Sequence, residues 1–152
     1  MTTLERLTSD MTAALKARDT FATSTLRQVV AAVRNEEKAG KVARVLTEEQ
    51  VQAVLVAEVK KRRESSTIYA GAGAGDRAAN ESAEADLIET YLPAVLSDEQ
   101  VDQLVGDAIA EVGATSVKDM GKVIKAATAA AAQTGGRVDG RTLSEKVRAA
   151  LA

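Results

Sequence analysis

The stretch Thr47-Glu48-Glu49-Gln50-Val51-Gln52-Ala53-Val54-Leu55-Val56-Ala57-Glu58-Val59-Lys60-Lys61-Arg62-Arg63 decides the fold. Thr47 with Gln50 three residues on forms a capping box, in which each side chain can satisfy the other's backbone N–H. Val51, Val54, Leu55 and Val59 then recur at helical spacing, which stacks them on one side of a helix and would scatter them over both faces of a strand. Helix is therefore expected from Thr47 to about Tyr69, with the basic run Lys60 to Arg63 near its end.

The same grammar recurs outward in both directions. Thr2 with Glu5 opens a first helix to about Lys16, with Leu4, Leu7, Met11, Ala14 and Leu15 on one side. Asp19 can cap a second, whose stripe is Leu26, Val29, Val30 and Val33 and whose stop is placed at Gly40. After the break Gly71-Ala72-Gly73-Ala74-Gly75, Asp76 starts a fourth helix with Ala83, Leu87, Ile88 and Tyr91, ended by the single proline, Pro93. Ser97 with Gln100 opens a fifth, carrying Val101, Leu104, Val105, Ala108, Ile109 and Val112 to Gly113. Ser116 begins a sixth through Met120, Val123, Ile124 and an alanine run that Gly135-Gly136 breaks. A seventh, from about Arg141, buries Leu143, Val147 and Leu151. The expected fold is all-α, a four-helix N-terminal domain over 1–93 and a three-helix domain over 94–152, the alternative being one continuous bundle.

Composition agrees. The 152 residues include 30 Ala, one Pro and three aromatics, a mixture rich in helix formers and poor in strand formers. With no His and no Cys, the chain cannot build a zinc site of ordinary ligands, a Ser-His-Asp or Cys-His nucleophile, or a histidine general base. No metal or other cofactor is expected. The apolar runs, Ala53–Ala57 among them, are too short for a membrane span or a signal h-region, so a cytoplasmic protein without a membrane partner is the reading.

Net charge is −2, but the charges are not evenly spread. Glu36, Glu37, Glu48, Glu49 and Glu58 invite a paired-carboxylate reading, yet helix starts and polar faces account for them. The glycines from Gly71 to Gly75 follow a helix and lack the Lys and Ser/Thr of a phosphate loop. Residues 97–111 hold five acids and no base, whereas residues 112–152 hold seven bases against three acids. Lys118, Lys122 and Lys125 fall at i, i+4 and i+7 and are joined by Arg137 and Arg141 from the next turn, the pattern of a surface that meets phosphates. Phe21, Tyr69 and Tyr91 lie outside this segment, so such a contact would read backbone and shape in place of splayed bases. A secondary basic face is expected from Arg27 and Arg34 with Lys60, Lys61, Arg62 and Arg63, open to a polyanion or to an acidic protein partner.

The ordered motifs Ser24-Thr25-Leu26-Arg27, Arg34-Asn35-Glu36-Glu37, Glu58 to Glu64, Tyr91-Leu92-Pro93, Val112-Gly113-Ala114, Lys118-Asp119-Met120-Gly121-Lys122-Val123 and Gly136-Arg137-Val138-Asp139-Gly140 are similar to those of the GatB/YqeY family. The resemblance covers nearly the whole chain and implies a free-standing YqeY-like protein. It also implies that the C-terminal domain is like the tail of the B subunit of the aspartyl/glutamyl-tRNA amidotransferase, a tail associated with recognising the tRNA body. The function it implies is an accessory role in translation, with tRNA and components of the amidotransferase or of an aminoacyl-tRNA synthetase as partners. The alternatives are a carbon–nitrogen ligase with glutamine as amide donor, for which no catalytic constellation is visible, and a helical protein–protein module. Within the two most specific motifs, Lys122 is expected to make contact, Gly136 and Gly140 to supply backbone angles, Asp139 to cap, and Asp119 and Gly121 to be structural or functional. Val117 and the run Ala126–Ala132 depart from the family pattern and lower the charge available there.

Overall fold

Three capping boxes close in both directions, Thr2 with Glu5, Thr47 with Gln50 and Ser97 with Gln100, so these helices begin where the backbone N–H groups first find side-chain acceptors. The computed structural model describes all of residues 1–152. It is all-α: α1 (Thr3–Lys16), α2 (Thr20–Glu37), α3 (Glu48–Gly71), α4 (Gly75–Glu89), α5 (Asp98–Val112), α6 (Met120–Gln133) and α7 (Gly140–Leu151). No helix is long and apolar enough to cross a membrane.

Several ends differ from the expected ones, for local reasons. α2 stops at Glu37, before Gly40, because the N–H groups of Lys38 and Ala39 fold back on Asn35 and Glu36 and Arg44 N–H takes the Glu37 carbonyl. α3 absorbs Gly71 and α4 begins at Gly75, leaving a turn of Ala72–Ala74 in which Gly73 takes φ +76°. Ser116 opens a short 3₁₀ turn, Val117–Asp119, and the α-helix starts only at Met120.

The chain forms two compact units, Met1–Leu92 and Pro93–Ala152. In the first, α3 and α4 form a hairpin and α1 and α2 another, around Leu7, Leu26, Val29, Val33, Leu55, Val59, Ala85 and Ile88. Leu55 and Ile88 are fully buried, where truncation of such a side chain costs about 2–5 kcal/mol. Glu48 adds a polar tie, accepting from both the N–H and the hydroxyl of Thr3 at 3.1 and 2.8 Å. In the second unit α5, α6 and α7 enclose Val101, Val105, Ala108, Val123, Ala127, Leu143 and Val147. Alanines on the inner side of α6 let α5 lie close, a small aliphatic core with no aromatic in it.

Candidate functional site

In the second unit, the inner face of α6 is Val123, Ala127 and Ala131, all buried. Helical phase therefore sends Lys122 and Lys125 outward, and both are exposed. Lys118 precedes the helix in the 3₁₀ turn, so the three lysines do not share one continuous helical ladder as their spacing suggests. They do share one end of α6. That turn is pinned by Asp119, whose Oδ2 accepts from Thr115 N–H at 3.0 Å. None of the three lysines has an ion-pair partner in the structure.

Gly121 lies between them on the exposed side of α6, in ordinary helical conformation, and a Cβ built there would meet nothing. Neither backbone angle nor packing demands a glycine at this second residue of α6. Its effect is to leave bare backbone between Lys118 and Lys122.

Arg137 and Arg141 are placed beyond the other end of α6, a helix of 14 residues and so about 21 Å long. They do not join the lysines in a single patch. Arg137 is half-buried and largely structural. Its N–H donates to the Ala94 carbonyl (2.9 Å), its carbonyl accepts from Leu96 N–H (2.8 Å), and its Nε donates to the Pro93 carbonyl (3.1 Å). This parallel bridge straps Pro93–Leu96 onto the unit. Gly136 is needed for the strap, since a Cβ would collide with the Leu96 side chain and come within 3.2 Å of the Ala94 carbonyl oxygen. The requirement is close approach, not a backbone angle; the left-handed residue of this turn is Gly135, at φ +76°. Gly140 likewise has ordinary angles and opens α7.

Asp139 caps α7, its Oδ2 accepting from the N–H (3.0 Å) and hydroxyl (3.2 Å) of Thr142. Arg141 is fully outside and paired with Glu145 at 3.2 Å, a solvent-exposed i, i+4 contact of little strength. Lys146, one of the seven bases of this segment, is not free: it reaches Asp102 at 2.8 Å and Asp98 at 3.7 Å. The hydrogen bond to Asp102 raises its pKa above the ordinary lysine value. Lys146 thus ties α7 to α5 and neutralises part of the acidic helix. Arg148 is exposed on α7 beyond it and has no ion-pair partner.

In the first unit the expected secondary basic face is largely dismantled. Arg62 is 2 % exposed. Its Nε donates to Glu84 (3.1 Å), Nη1 to Glu58 (2.5 Å) and Nη2 to Gln28 (2.9 Å), so one guanidinium staples α2, α3 and α4. Glu58, expected on a solvated face, is an internal counter-ion. Arg63 donates to Asp86 (2.6 Å) and Glu89 (3.2 Å) of α4. Lys61 pairs with Glu58 at 3.4 Å and Arg34 with Glu37 at 3.0 Å. Arg27 and Lys60 alone stay exposed without an ion pair. Tyr91 Oη donates to Asp10 Oδ2 at 2.5 Å, with the Arg6 guanidinium 5.0 Å from its ring centroid. Burial, then the hydrogen bond to Asp10, pushes its pKa well above the usual tyrosine value.

No group of three or more Asp or Glu side chains is close enough to hold a metal ion. The chemistry the second unit offers is point positive charge on an exposed helix end beside bare backbone, which suits a polyanion. A two-unit all-α protein with a lysine-bearing middle helix in its smaller unit is the class that fold and site define. A family model for Yqey-like protein matches residues 4–151, and the chain belongs to that family. No curated protein matches it.

Proposed function

We propose that this protein is an accessory factor that binds the backbone of tRNA through the N-terminal end of α6, with Lys118, Lys122 and Lys125 as the contacts. The observation that carries the reading is the trio itself: exposed cations with no internal counter-ion, beside a glycine that neither packing nor backbone angle requires. Gly121 lets a phosphodiester backbone approach the first turn of α6 more closely than any side chain would permit. Arg141 and Arg148 of α7 supply a weaker, more distant positive contribution, and Arg137 acts by holding the Pro93–Leu96 strap. Family membership favours a role with tRNA amidation or another tRNA process.

Retention of total tRNA in a native gel tests this. Lys118→Glu, Lys122→Glu and Lys125→Glu together are expected to lower retention by more than tenfold at low salt, since the phosphates they neutralise lose their cations. The same number of reversals at Arg27, Lys16 and Arg77 is expected to change it by less than about threefold, as for unspecific charge alone. Equal loss in both variants would remove the assignment of the site to α6.

A further inference from the structure

Lysine charge draws any phosphate backbone, so discrimination among nucleic acids must come from the groups beside it. Those groups sit in the turn between α5 and α6. Gly113, at φ +66°, ends α5, and Ala114 N–H closes on the Ile109 carbonyl at 3.1 Å. Asp119 then ties the turn twice: its Oδ2 accepts from Thr115 N–H at 3.0 Å, and its own N–H donates to the Ser116 carbonyl at 3.0 Å. Backbone groups and one carboxylate thus hold the turn, and the hydroxyls of Thr115 and Ser116 are left over. Ser116 stands where a capping residue would, yet its hydroxyl caps nothing. Thr115 is exposed, and only its backbone N–H is engaged. Two free hydroxyls, each a donor and an acceptor, therefore lie beside Lys118. Val117 follows them, aliphatic and 45 % exposed.

We infer that this end of the second unit takes double-stranded RNA, an A-form stem met at its minor groove, an inference that rests on the tRNA-backbone reading and narrows it. Proteins hold single strands by stacking bases on aromatic side chains along a groove. The three aromatics of the chain all belong to the first unit, so the second offers no π face. Lys118, Gly121, Lys122 and Lys125 are exposed on the outer side of a helix end and the turn before it, a convex surface. Such a surface fits the wide, shallow minor groove of A-form RNA, which displays 2′-hydroxyls between its phosphate rows; the deep, narrow major groove excludes it. In B-form DNA the minor groove is about 6 Å wide, too narrow for a helix about 10–12 Å across with its side chains. DNA sugars also lack the 2′-hydroxyl that Thr115 and Ser116 can pair with. In the complex the lysines reach the flanking phosphates, the two hydroxyls meet the sugars, and Val117 lies against ribose carbon.

Competition against labelled tRNA in a native gel, with the full chain, tests this. The competitors are a short, fully paired RNA duplex, a DNA duplex of the same sequence, and unpaired oligouridylate of equal length. The RNA duplex should compete about tenfold more strongly than oligouridylate and severalfold more strongly than the DNA duplex. Thr115→Ala with Ser116→Ala should shrink the advantage of RNA over DNA to less than about twofold, because the sugar contacts are gone. Circular dichroism should report an unchanged helix content, since neither hydroxyl holds the turn. Thr115→Ser with Ser116→Thr, which keeps both hydroxyls, should keep the advantage. With labelled tRNA still bound through the lysines, three results would each overturn the inference: oligouridylate competing as well as the RNA duplex, DNA competing as well as RNA, or an RNA preference indifferent to loss of both hydroxyls. Failure of the wider reading looks different. Labelled tRNA would then be held equally by the wild type and by the variant with Lys118, Lys122 and Lys125 all changed to Glu, and the inference would fall with it.

Discussion

Arg62 shows how one side chain's helical phase decides between surface and core. It stands three residues after Val59 and seven after Leu55, in line with the buried stripe of α3, while Lys60 and Lys61 turn outward. The basic run is plain in the sequence, but reading it as a uniform face ignores that phase; extending the stripe by one step places Arg62 inside. Two carboxylates, Glu58 and Glu84, are 15 % and 13 % exposed around it. Arg62→Ala strands both, and removing one partner of such a buried network costs about 3–5 kcal/mol. Urea denaturation should therefore show the first unit losing about 3–5 kcal/mol, a large share of a total of about 5–15 kcal/mol; a shift below about 1 kcal/mol would contradict the staple. Gly121 gives the opposite kind of test. Gly121→Ala should leave α6 as stable as before or stabilise it by less than the gain of about 0.5–1 kcal/mol at a helix-interior site, since a Cβ in this first turn meets nothing, and yet reduce tRNA retention severalfold. Unchanged retention with the fold intact would mean the bare backbone serves no ligand.

Among the elements, the helices whose starts carry Ser or Thr with Glu or Gln three residues on are legible to the residue, because the capping signal is local. Ends set by tertiary contacts are not. α2 ends where Arg44 folds back onto Glu36 and the Glu37 carbonyl, an arrangement with no pattern in the sequence. The 3₁₀ turn before α6 reads as helix because its apolar spacing is nearly helical, and the shift takes Lys118 out of phase with Lys122. The candidate site is legible to the same extent. Lys122 and Lys125 are exposed as their phase demands, but the Gly136-Arg137 motif, which has the composition of a phosphate-facing turn, serves as a strap. That role depends on Pro93–Leu96, some forty residues away in sequence, which spacing cannot reveal. Lys146 is invisible as a clamp for the same reason, its partners being on α5.

At the scale of the whole molecule, the two units differ in how charge is used. The first holds Arg62 and Arg63 on carboxylates of α3 and α4, and the second leaves lysines without partners at one end of α6. Tyr91 closes the first unit by joining the end of α4 to α1, and its raised pKa gives that closure a pH dependence. A group whose folded pKa lies above its unfolded value of 10.0 contributes stability that is complete below that pH and is lost as pH rises through the folded value. Lys146, also raised, acts in the same direction in the second unit. Stability should therefore be flat in this respect below about pH 10 and fall above it, and Tyr91→Phe should flatten the alkaline limb of the first unit. An alkaline limb identical in the variant would assign it elsewhere. The central claim is that lysines at the start of α6 hold an RNA backbone, and the salt dependence of tRNA affinity tests it most directly. Plotted log against log, the slope for the wild type should exceed that of the variant with Lys118, Lys122 and Lys125 all changed to Glu by about 0.7–0.9 for each phosphate no longer neutralised, or about 2–3 in all. Equal slopes for the two proteins would contradict the claim.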